Sequence, residues 1–96
     1  MTQHRVVREM AVTHGDFFRI LPNAMGQTPY QVEGLSVTGK LGDGSVTISI
    51  GKQHERRIAL LAIPYCAVSF EFDNVTDEQI DEFEQHFLLR YQRGGG

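Results

Sequence analysis

The stretch that decides the fold is CAVSFEFDNVTDEQIDEFEQHFLLRYQ, residues 66–92. It contains two periodicities in succession. From Cys66 to Phe72 the side chains alternate, with Cys66, Val68, Phe70 and Phe72 on one side and Ala67, Ser69 and Glu71 on the other. That period of two belongs to a half-buried antiparallel strand. From Asp77 onward Ile80, Phe83, Phe87 and Tyr91 recur at steps of three and four, the spacing of one apolar helical stripe. Glu78, Glu82, His86 and Arg90 form a second stripe, with acids early and bases late, as the helix dipole favours. The change of period falls at VTDEQI (75–80), where Thr76 and Gln79 have the spacing of a capping box and Val75 and Ile80 that of a hydrophobic staple. A strand followed by a capped amphipathic helix, each with one apolar side, is the nucleus of an α+β domain.

Working back towards the N-terminus, a second helix start appears at VTHGDF (12–17), with Thr13 as N-cap, Asp16 in the first turn and Val12 and Phe17 as the staple. Phe17, Ile20 and Leu21 give this helix an apolar side, and Pro22 predicts a stop after about two turns. Between the helices SVTISI (45–50) alternates cleanly, LGDGS (41–45) signals a turn, and GKQHER (51–56) reads as a longer hairpin loop. YQVEGLSV (30–37) changes parity at Glu33–Gly34, which predicts a tight turn or a bulge. RIALLAI (57–63) is apolar on both sides and predicts a central strand, with Leu60 facing the core and Ala59, Leu61 and Ile63 facing away. HRVVREMAV (4–12) is strand-like, and if Val6, Met10 and Val12 point inward then Arg8 lies on the same side.

The expected architecture is α+β. An antiparallel meander of about five to six strands has a short helix after strand 1 and a long C-terminal helix, both packed on one face. Residues 1–93 form a single domain and 94–96 a flexible glycine tail, as befits a chain of 96 residues. The element order is similar to that of TATA-binding-protein-like and related helix-grip domains, a resemblance that rests on no motif and implies no function.

Composition narrows the functions. A formal net charge of −3 gives no broad attraction to nucleic acid or to anionic lipid, and no apolar run approaches a membrane span. The one cysteine cannot close an internal disulfide, and no signal sequence is seen, so a cytoplasmic location is expected. The four histidines, His4, His14, His54 and His86, fall outside close ligand pairings, and no metal or cofactor is assigned. Cys66 shares its side with Val68 and Phe70 and reads as a core thiol rather than a nucleophile. No catalytic residue is assigned, and the domain is expected to be non-enzymatic.

Three functional readings remain. The first is binding of a protein partner, or of a second copy of the chain, at the sheet face left uncovered by helices, through Ala59, Leu61 and Ile63. The second is a small-molecule or anion site at the start of the first helix, formed by Arg8, His14, Gly15 and Arg19. The third starts from the closing glycines, which resemble the diglycine ends of ubiquitin-like and sulfur-carrier proteins in their last residues only. Here they follow a helix, not a strand.

Overall fold

A computed structural model of the chain describes residues 3–94. The elements are β1 (Gln3–Met10), α1 (His14–Met25), β2 (Tyr30–Glu33), β3 (Ser36–Leu41), β4 (Gly44–Ile50), β5 (His54–Ile58), β6 (Leu61–Asp73) and α2 (Asp77–Gly94). All strand pairs are antiparallel, and the sheet runs in the order β1-β6-β4-β3-β2, with β5 paired to the first part of β6. The α+β class, the helix after the first strand and the C-terminal helix all stand as the periodicities predict. Gly94 ends α2, while Gly95 and Gly96 of the expected tail lie outside the described residues.

Both helix starts have the expected caps. Asp16 N–H donates to Thr13 Oγ1 at 3.0 Å. At α2 the exchange is reciprocal, Gln79 N–H to Thr76 Oγ1 at 3.1 Å and Thr76 N–H to Gln79 Oε1 at 3.0 Å. These bonds satisfy donors that a helix cannot satisfy internally.

One face of the sheet and both helices enclose a single core. Cys66, Val68, Phe70 and Phe72 are buried, as are Val46, Ile48 and Ile50 beside them and Ile80, Phe83, Phe87 and Tyr91 of α2. Phe87 meets Phe70 edge to face at 5.3 Å between ring centres, and Phe83 meets Phe72 at 5.9 Å. Aromatic rings prefer that arrangement, because the edge of one is positive and the face of the other negative. The parity change at Glu33 is a tight turn through Gly34 and Leu35, and LGDGS turns at Gly42 and Asp43. Gly34 and Gly42 have φ of 62° and 56°, a region closed to most other residues.

The first helix is longer than Pro22 predicts. It continues through Pro22 to Met25 and closes where Gly26 N–H reaches Pro22 O. Proline removes one hydrogen bond, but Leu21, Ala24 and Met25 carry the apolar stripe onto the sheet and are all buried. Gly39 makes room for this extra turn, since a side chain there would come within 2.7 Å of Met25 Cε.

The largest departure is RIALLAI. It is not one central strand: Arg57–Ile58 end β5, Ala59–Leu60 form a two-residue turn, and Leu61–Ile63 begin β6. Leu60, expected in the core, is fully exposed. GKQHER is likewise not a hairpin loop. Ile50 stands opposite Val68 and His54 opposite Tyr65, so four steps along β4 and β5 match three along β6. β4 and β5 are therefore one long strand interrupted by a bulge, which adds a residue and bends the pair without ending it. β6 has 13 residues, roughly 40 Å of extended chain, in a molecule 47 Å long and 25 × 22 Å across. The β5–β6 pair extends past the helices as an arm.

Candidate interaction surface

The arm is where the structure places Ala59, Leu61 and Ile63. Register puts Leu61, Ile63 and Tyr65 opposite Ile58, Arg56 and His54. Alternation along β6 gives this row the same side as Ser69 and Glu71, away from the helices. Leu61 is 66% exposed, Ile58 53%, and Leu60 projects fully from the turn. The expected apolar stripe is therefore not on the main sheet face. It is concentrated at the end of a hairpin over which, among the described residues, no helix is packed.

Behind this apolar tip the side chains are ordered by polar and aromatic contacts. The Arg56 guanidinium lies 4.7 Å from the Tyr65 ring centre, and its Nη2 donates to Glu9 Oε1 of β1 at 2.9 Å. His54 stacks on the opposite-strand Tyr65 at 5.3 Å. Cation–ring contact and a charged hydrogen bond together hold Arg56 across the strand, bracing the arm against the body. The backbone of β6 contributes a second feature. β1 covers its outer edge only from Cys66 onward, so residues 61–65 have no strand on that side among the described residues. Along Leu61–Ile63 this free edge can take an added strand, while Pro64 has no N–H to offer one.

Ala59 has φ of 55°. The left-handed region costs a residue with a side chain about 1–2 kcal/mol, and glycine much less. That strain is also why the turn escapes sequence reading, since Ala-Leu carries none of the Gly, Asn or Asp that mark two-residue hairpins. Pro64 is the signal that was available, because proline within an apolar run argues for an edge rather than a central strand. Ile58, Arg56 and Tyr65 join the surface through this turn and were not singled out from the sequence, and Leu60 joins them in place of the core position expected for it.

The start of α1 is arranged differently. His14 N–H donates to Gln53 Oε1 at 2.9 Å, and His14 Nε2 donates to the carbonyl of Gly51 at 2.8 Å. Asp16 N–H is held by Thr13, and Arg19 lies 3.4 Å from Asp16 Oδ1. Gly15 sits between them in the first turn. His14 thus ties the helix to the bulge at the root of the arm. Arg8 is committed elsewhere. It lies on the helix side of β1, where its Nε donates to Glu84 Oε1 at 2.9 Å. That bond to Glu84 raises the pKa of its guanidinium above the ordinary value. Glu84 is buried and α2 otherwise shows an apolar stripe there, so Arg8 compensates the one buried carboxylate among the described residues.

Cys66 is fully buried with its Sγ 3.7 Å from the carbonyl of Val12, and burial pushes its thiol pKa up. A raised pKa leaves little thiolate for chemistry. Among the described residues no group of three or more His, Cys, Asp or Glu side chains gathers to hold a metal ion. Among them, too, no helix is long and apolar enough to cross a membrane. No protein-family model and no curated protein sequence matches the chain.

Proposed function

We propose that this is a small cytoplasmic, non-enzymatic domain that binds another protein through the β5–β6 arm, as an accessory subunit or with a second copy of itself. One observation carries the reading: exposed Ile58, Leu60 and Leu61, with half-buried Ile63, are gathered at the end of a hairpin, beside a β6 edge that has no strand on it among the described residues. Exposed apolar side chains on a soluble domain are ordinarily scattered, and a contiguous group marks a binding surface. A partner strand laid along residues 61–63, short of Pro64, would gain backbone hydrogen bonds while its side chains met Leu61 and Ile63.

Affinity capture from native lysate tests this with wild type and Leu61→Glu side by side. The expected result is a specific protein recovered by wild type and lost by the variant, because an interface there would have to desolvate an unpaired carboxylate. Equal recovery by both would remove the arm from consideration. A co-purifying small molecule with no protein would favour the ligand-binding alternative at the first helix.

A further inference from the structure

β1 is an edge of the sheet, and its outer side has no neighbour among the described strands. Edge strands are commonly guarded by charge, and charges of one sign repel a second copy as well as a stranger. β1 is charged differently. Arg5 stands two residues before Val7, and Glu9 two residues after it. All three face away from the helices, opposite Glu71, Ser69 and Ala67 of β6. Val7 is 59% exposed, an apolar side chain between the charged Arg5 and Glu9 on this side of β1.

We propose that two copies of the chain pair antiparallel through β1, about a twofold axis at Val7, forming one continuous sheet. With the axis there, Val7 meets Val7 of the second copy, and Arg5 meets its Glu9 once on each side of the axis. On the helix side Val6 lies against Arg8, and His4 against Met10. Neighbouring registers lack this match. An axis at Arg5 or Arg8 sets a guanidinium against its own copy. An axis at Val6 sets Arg5 against Val7 and Glu9 against Gln3, so neither charge is paired. Opposite charges directly across a strand pair stabilise it and like charges destabilise it.

The side chains are available for this. Arg5 makes no ion pair among the described residues, whereas Arg8, Arg19, Arg56 and Arg57 each make one. Glu9 accepts from Arg56 through Oε1 alone, leaving Oε2 for a second guanidinium. The pairing assigns self-association to an edge distinct from the arm, so it is independent of whether the arm binds a different protein but excludes the arm as the contact between copies.

Sedimentation velocity on wild type, Arg5→Glu and Glu9→Arg, with circular dichroism as the fold control, tests the register. Wild type is expected to dimerise, and each single variant to do so at least about tenfold more weakly, since each replaces both attractive pairs by repulsive ones. An equimolar mixture of the two variants is expected to recover the dimer. In the mixed pair, the carboxylate introduced at position 5 of one chain faces the guanidinium introduced at position 9 of the other. The unaltered Glu9 and Arg5 then meet on the far side of the axis. No merely structural role for either residue produces that rescue. A monomeric wild type, a dimer indifferent to both variants, or folded variants that fail to rescue each other would overturn the proposal. So would a dimer abolished by Leu61→Glu alone, which would place self-association on the arm. Should a variant fail to fold, amide exchange on wild type decides: protection of β1 that rises with protein concentration supports the pairing, and protection independent of concentration overturns it.

Discussion

The two ends of β6 are chemically alike and structurally opposite. Residues 66–72 alternate around a row of buried side chains, while residues 61–65 are as apolar but none is buried, Leu61 and Ala62 being exposed and Ile63, Pro64 and Tyr65 half-buried. Backbone conformation is the same in both, and so is the alternation. The difference lies in what stands above the strand. Phe70 and Phe72 have α2 over them, with Phe87 and Phe83 in contact, whereas Leu61 and Ile63 lie beyond the helices. Burial is therefore set by topology, and a local apolar run identifies only a surface that needs a cover. In the helix-covered half the chain supplies the cover itself.

The comparison breaks if that half does not carry the stability. Phe87 is fully buried against Phe17, Phe70, Phe83 and Tyr91. Phe87→Ala is expected to cost about 3–5 kcal/mol, comparable with the whole stability of a small domain. Denaturant titration checks it, and a midpoint close to that of wild type would show that α2 is not the cover.

A smaller effect is expected where α2 meets α1. The Tyr91 hydroxyl donates to the Phe17 carbonyl at 2.8 Å in a buried setting. Tyr91→Phe removes one hydrogen bond, about 1 kcal/mol. Burial, with a lesser contribution from Tyr30, raises the phenol pKa above its ordinary value of 10.0. In the unfolded chain this phenol ionises near pH 10 while the folded protein keeps its proton, so its share of stability is intact below that pH and lost as pH rises past it. Cys66, raised by burial from 9.0, loses its share in the same direction from about one unit lower. Melting temperature measured from pH 8 to 11 should fall less steeply in Tyr91→Phe than in wild type above pH 10. Parallel curves would contradict the burial of this hydroxyl.

How far the fold could be read from sequence follows the same division. The capping box at Thr76, the stripe from Ile80 to Tyr91 and the strand from Cys66 to Phe72 are each specified by residues next to one another in the chain, and each was legible. The turn at Ala59–Leu60 was not, because a residue without turn propensity is held at positive φ by pairing between His54–Ile58 and Leu61–Tyr65. The continuation of α1 past Pro22 was hidden for a related reason, since it depends on the space at Gly39, distant in sequence. Leu61 and Ile63 were recognisable as facing away from the helices, but their isolation on an arm depends on where the helices end.

Ala59 offers a way to sharpen the contrast. Ala59→Gly should relieve the left-handed strain, offset in part by the greater freedom of glycine when unfolded, for a net stabilisation of roughly 0.5 kcal/mol. The gain should be confined to the arm, because its pairing opens without disturbing the core. Amide exchange should slow across residues 54–65 and stay unchanged across 66–73. Uniform slowing would mean that arm and body unfold as one unit, and the division of β6 would be lost.

The smallest effect expected on stability is also the most discriminating. Leu60 and Val68 are both aliphatic residues of the β5–β6 region, one fully exposed at the turn and the other fully buried under the helices. A carboxylate at position 68 would be taken out of water with no partner, a cost of several kcal/mol that should unfold the domain. At position 60 the same carboxylate keeps its hydration, so Leu60→Glu is expected to alter stability by less than about 0.5 kcal/mol. What it should change is recovery of the arm's partner, since the apolar tip gains a charge that an interface would have to strip of water. Circular dichroism melting and partner capture on the same preparation separate the two consequences. A Leu60→Glu protein that unfolds would show that the turn packs against the body, and the arm would cease to be a separate surface. A folded variant with undiminished capture would leave the arm exposed but place the partner elsewhere on the domain.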